Sequence, residues 1–151
     1  MTTDTETFQM IQKLFQLQEE RQHVLKIFEE GYKIYMSNRS NYNLSKFGEL
    51  VNDTTKDFKR ISIGLADVAN FLQNNGYEQI ADMIVSLQKS EEDRLHLCAS
   101  LQLARQEAGN SPDAESLWSK VSHLQELYSN IIQKINEQME RIRYQTDKIA
   151  Y

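Results

Sequence analysis

Residues 47–72, FGELVNDTTKDFKRISIGLADVANFL, decide the fold. Phe47, Leu50, Val51, Thr54, Phe58, Ile61, Leu65, Val68 and Leu72 recur at alternating steps of three and four. At ~100° per residue they fall in one stripe of a helical wheel, which predicts an amphipathic helix. Outward from this stretch, turn-forming residues interrupt the pattern at SNRSNYN (37–43), QNNGY (73–77) and GNSPD (109–113), leaving four segments of roughly 30 residues.

The last segment repeats the pattern with Leu117, Val121, Leu124, Tyr128, Ile131, Ile135, Met139, Ile142 and Ile149, a near-heptad run broken by Gln138 and Thr146. As a helix it would extend on the order of 50 Å. The first places Met10, Leu14, Leu17, Leu25, Phe28, Tyr32 and Tyr35 on a broad face, with Phe8, Ile11 and Phe15 at its start. A wide face needs more than one neighbour. Asn74, Asn75 and Gly76 predict a left-handed stop for the second helix, and Asn75 with Glu78 resembles a capping box for the third. Ser111, Pro112, Asp113 and Glu115 read as an N-cap, a first-turn proline and carboxylates at the positive end of the fourth helix. Gly31, Gly48 and Gly64 stand singly inside helical patterns, where close helix approach is the expected reason, and Trp118 reads as a core or inter-helix anchor.

The expected fold is all-α: a single domain over residues 1–151, an antiparallel bundle of four long helices with coiled-coil-like packing. Residues 112–151 form its long C-terminal helix, which either closes the bundle or serves as an assembly element pairing with a second copy in a homodimer. At 151 residues the chain suits one core, and its single Pro and five Gly leave few loops. A balance of 17 basic and 22 acidic residues gives a net charge of −5, so no global positive field draws it to phosphate or anionic lipid. Direct nucleic-acid binding and membrane insertion are not expected, since no apolar run approaches the ~20 residues that span a bilayer. One cysteine suits a reducing compartment, and MTTDTETFQM lacks the apolar core of a leader, so an intracellular, nuclear or cytoplasmic location is expected.

The third segment is harder to place. Within it SEEDRLHLCASLQLARQEAG (90–109) carries four leucines, the lone Cys98 and His96. Ala81, Val85, Leu95, Ala99 and Leu103 gather in one angular sector. Ile80, Met83, Ile84, Leu87, Leu97, Cys98 and Leu101 form another, with Glu91, Arg94, Gln102 and Arg105 on a polar strip between them. Two seams imply a central helix touching several sisters; the alternative is that one seam stays open for a partner, as in helix-in-groove docking. Cys98 reads as a small core hydrophobe rather than a nucleophile.

Candidate chemistry is sparse. Glu20-Arg-Gln-His23 and Asp93-Arg-Leu-His96 approximate the Glu-x-x-His pairs of two-iron bundles, but their angular positions point to solvent, so neither metal nor cofactor is expected. No phosphate loop, dinucleotide fingerprint, nucleophile elbow, HExxH or CxxC is present. The basic cluster Lys56, Lys59 and Arg60 is interleaved with Asp53 and Asp57, which is the pattern of a solvated face.

Phe28-Glu-Glu-Gly-Tyr-Lys-Ile-Tyr35 with Tyr42, then Phe47-Gly-Glu-Leu-Val-Asn-Asp-Thr-Thr55, Phe58 and Ile61, then Leu101-Gln-Leu-Ala-Arg-Gln-Glu-Ala108 run in an order and spacing that resembles the B-type "required for excision" DNA-repair domain, over about residues 8–108. The resemblance implies an association with DNA excision repair and carries no catalytic residues; the fourth helix falls largely outside it. Together these readings lead to the expectation of a non-enzymatic adaptor working through protein partners. Leu95, Ala99 and Leu103, with Arg105 and Glu29 at polar edges, are its candidate binding surface. The rival expectation is a structural coiled-coil subunit of a trafficking or cytoskeletal complex; carboxylate-bridged metal oxidase chemistry ranks third.

Overall fold

The computed structural model describes residues 4–37 and 44–149, the side chains of residues 44 and 45 excepted. The described residues form four α-helices and no strand: α1 (Asp4–Ser37), α2 (Leu44–Asn74), α3 (Glu78–Asn110) and α4 (Glu115–Ile149). The chain is all-α, as its periodicity predicts, with helix packing consistent with a bundle. The second and third breaks fall where the turn formers stand; of the first, only Ser37 lies among the described residues. Two compact units, Met1–Ala81 and Asp82–Tyr151, divide within α3.

In the first unit α1 and α2 form an antiparallel hairpin. Rising numbers in α1 meet falling numbers in α2: Leu17 lies against Gly64, Glu20 pairs with Arg60, Gly31 lies against Leu50, and the Tyr35 ring stacks on Phe47 with centroids 4.6 Å apart. A Cβ on Gly31 would run into Leu50, and one on Gly64 would come within 2.7 Å of Leu17, so these two glycines mark close helix approach. Gly48 meets nothing and is not explained that way. The predicted stripe of α2 is the core stripe: Thr54, Ile61, Leu65, Val68 and Leu72 are buried. Ile11, Leu14, Leu25 and Tyr32 are the buried apolar residues of α1. Phe8 and Val51, placed on the apolar faces by periodicity, are exposed. Gln18 and Arg21, spaced by one turn, are buried, and Arg21 donates from Nε and Nη2 to Gln18 Oε1 at 3.2 and 3.0 Å.

The α2 stop matches its signal. Gly76 takes φ +90°, and the Tyr77 amide donates to the Leu72 carbonyl at 2.8 Å, the six-to-one bond of a Schellman ending. Asn75 also serves the end of α2. Its Nδ2 reaches back to the Phe71 carbonyl at 2.7 Å, while the carbonyl of Tyr77 accepts from Ala81 at the start of α3.

In the second unit the turn into α4 differs from expectation. The Ala114 amide donates to the Ser111 carbonyl at 3.0 Å, closing a turn with Pro112 at its second position, where the fixed φ of proline fits. Helix α4 starts at Glu115, with the Ala114 carbonyl accepting from Leu117 and Trp118, so Ser111 is not its cap. Trp118 is exposed rather than a core anchor, and its Nε1 donates to the Pro112 carbonyl at 2.9 Å, clasping the turn. Arg105 of α3 donates to Gln125 Oε1 of α4 across this end of the unit. Tyr128, Ile135, Met139, Ile142 and Thr146 of α4 are buried. Thr146 breaks the apolar run without leaving the core, because its hydroxyl donates to the Arg143 carbonyl at 3.1 Å.

Candidate docking face on helix α3

The inward side of α3 in the second unit holds Ile84, Leu87, Ser90, Glu91, Cys98, Leu101, Ala104 and Ala108, all buried. Glu91 and Arg94, assigned by periodicity to a polar strip between two seams, instead occupy this inward side. Arg94 Nη1 lies 3.4 Å from Glu91 Oε1, with side chains only 12% and 4% exposed respectively. A charge is tolerated there because its partner stands one turn away on the same helix. Cys98 is buried, with the Gln102 amide 3.6 Å from its sulfur.

With charges inside, apolar residues are left outside. Val85 is 61% exposed, Leu95 36% and Leu103 57%, and Ala99 is exposed between the last two. These belong to the seam that the sequence placed opposite Ile84, Leu87, Cys98 and Leu101. The expectation that both seams are covered is therefore not met: Val85, Leu95, Ala99 and Leu103 face out, and of that seam only Ala81, in the first unit, is buried. Leu95, Ala99 and Leu103 lie on successive turns, rising ~6 Å per step, and form a continuous apolar line. The remaining candidate residues stand elsewhere. Arg105 follows Leu103 by two positions, so it leaves the helix from nearly the opposite side, toward Gln125. Glu29 belongs to the first unit and is half-buried in α1.

Lys89 and Asp93 form an exposed ion pair at 3.2 Å on the flank of the apolar line. The hydrogen bond with the Asp93 carboxylate, helped by the Coulombic attraction of Asp93 and Glu92, holds the Lys89 ammonium above its ordinary range. Glu20 is likewise engaged, bidentate with Arg60, which also lies 3.5 Å from Asp57. The guanidinium is raised above its usual range by the Glu20 hydrogen bond. His23 and His96 are exposed. Among the described residues no three His, Cys, Asp or Glu side chains gather closely enough to hold a metal ion.

The model of the family described as DNA repair REX1-B matches residues 9–105. The chain belongs to the DNA repair REX1-B family. The REX1-B match takes in α1 from its second turn, all of α2, and α3 through Arg105, so it includes Leu95, Ala99 and Leu103 and stops before α4. A curated relative, the Required for excision 1-B domain-containing protein of Bos taurus, is 32% identical over 96 residues, covering 63% of this chain and 53% of the relative. The chain thus spans about half the length of that REX1-B relative. No solved structure matches. No described helix is long and apolar enough to cross a membrane.

The spacing put Leu95, Ala99 and Leu103 in one sector, with an open seam only as the alternative to a covered one, and it misplaced Glu91 and Arg94. The missed signal is the i, i+3 pair Glu91–Arg94 at the angular position of Leu87 and Cys98. Opposite charges at that spacing neutralise each other and can be carried inward together.

Proposed function

We propose that this REX1-B chain is a non-enzymatic helical adaptor that serves DNA excision repair inside the cell, in the nucleus or cytoplasm, through protein contact at the outward face of α3. Membership of a family named for DNA repair supports the setting. The observation that carries the mode of action is the exposure of Leu103 and Val85 on a helix whose opposite side is buried. An apolar line along a helix gains ~25 cal/mol for every Å² it hides, which makes it a contact surface for another chain. Glu20 and Asp93 are engaged in exposed ion pairs with Arg60 and Lys89.

The test joins stability to function. The Ala99→Glu, Leu103→Glu double variant is expected to keep the helix content and melting temperature of the parent while failing to restore ultraviolet tolerance to cells lacking the protein. Full restoration of tolerance by the folded variant contradicts the proposal; collapse of the fold would show that the face is core.

A second reading assigns the chain to a structural assembly through α4. It is favoured by one observation: α4 lies outside the matched residues 9–105 and carries exposed Trp118 and Leu127 near its start. Under that reading Leu127→Lys changes the association state and Leu103→Glu does not.

A further inference from the structure

Around Ala99 the chain reads almost alike in both directions. Leu95-His-Leu-Cys-Ala99-Ser-Leu-Gln-Leu103 pairs Leu95 with Leu103, His96 with Gln102, Leu97 with Leu101 and Cys98 with Ser100. On the surface this sequence symmetry becomes a symmetric patch: two leucines, one turn to either side of an exposed alanine. Two antiparallel helices related by a two-fold axis through Ala99 would set Leu95 of each copy against Leu103 of the other. A patch that is its own complement is what a two-fold interface requires. The small residue sits on the axis, where two backbones must approach most closely.

The charges agree with the same axis. Lys89 and Glu107 are 18 residues apart, five whole turns, so they project from the same flank of α3. Both are exposed. In the two-fold arrangement Lys89 of one copy comes within about 3 Å of the level of Glu107 in the other, and the pairing occurs twice. Glu92 of one copy stands opposite Gln106 of the other, a carboxylate facing an amide donor.

We infer that the outward face of α3 docks a second copy of this chain, antiparallel, about a two-fold axis at Ala99. This inference rests on the reading of that face as a protein contact and names its occupant. The patch is short, which gives a reversible dimer rather than an obligate one. A dimer presents each of its other surfaces twice, raising the avidity of an adaptor for a partner with two sites.

Sedimentation of the full chain over a dilution series tests it. The parent is expected to pass from dimer to monomer. Leu103→Glu is expected to weaken the dimer on the order of a hundredfold, because each substitution enters the interface twice and buries a carboxylate without a partner. Lys89→Glu alone and Glu107→Lys alone should each weaken it about fivefold, and the double exchange should restore it, a recovery that a purely structural effect would not give. In a Cys98→Ser background, Ala99→Cys should form a covalent dimer on mild oxidation, since only residues at the axis meet their own copies.

A parent that stays monomeric throughout overturns the inference, as does a dimer unaffected by Leu103→Glu. If the monomeric parent still loses ultraviolet tolerance on Leu103→Glu, the face remains a docking surface and the second copy is the wrong occupant.

Discussion

Glu91 and Arg94 show how single residues rearranged the expected surface. Their side chains occupy inward positions that leucine would otherwise take, and they persist there as a pair. Removing one member takes the ion pair from the other while it stays buried, so Glu91→Ala is expected to cost about 3 kcal/mol in a denaturant titration, whereas Glu91→Met with Arg94→Met should be near neutral or stabilising. If the double variant is as unstable as the single, the ion pair itself holds the unit together. Gln138 is a second case. It interrupts the apolar run of α4, and its Oε1 is buried with no hydrogen-bond partner among the described residues. Replacing it by Met removes an unsatisfied acceptor and should raise stability by about 1 kcal/mol, read as a shift in the unfolding midpoint.

At the scale of the helices, legibility followed amphipathicity. Helix α2 has one apolar stripe, and Thr54 through Leu72 went inward as the spacing predicts. The α2 stop was equally readable, because only a residue that tolerates φ +90° fits there. Gly76→Ala should cost about 1 kcal/mol for that reason. Helix α3 was ambiguous because leucines lie on both of its sides and periodicity cannot say which seam is covered. The start of α4 was read less well than the stop of α2: Ser111 is a capping residue type, yet its carbonyl closes a turn ahead of the helix. Interior glycines divide into two kinds. Gly31→Val should lose about 2 kcal/mol by driving Leu50 from its place, while Gly48→Ala, with nothing near its Cβ, should gain up to about 1 kcal/mol from helix propensity. Thermal melts of the two variants, moving in opposite directions, check both.

For the molecule as a whole, the all-α class and the REX1-B family were legible in the chain, the class from periodicity and the family from the segments around Phe28, Phe47 and Leu101. The candidate face was legible only in part. Leu95, Ala99 and Leu103 do share an exposed line, but Arg105 faces Gln125, and Glu29 lies on another unit. Sequence spacing fixes angles within one helix; it does not fix which angle meets a neighbour. One orientation therefore decides the mode of contact: α3 turns Glu91, Arg94 and Cys98 inward and Leu103 outward. Thiol labelling measures that orientation directly, in dilute protein where copies are apart. Leu103→Cys in a Cys98→Ser background should react with a thiol reagent nearly as fast as free cysteine, while Cys98 of the parent should react only as the protein unfolds. Rapid labelling of Cys98 with protection of the new thiol at position 103 would contradict the account.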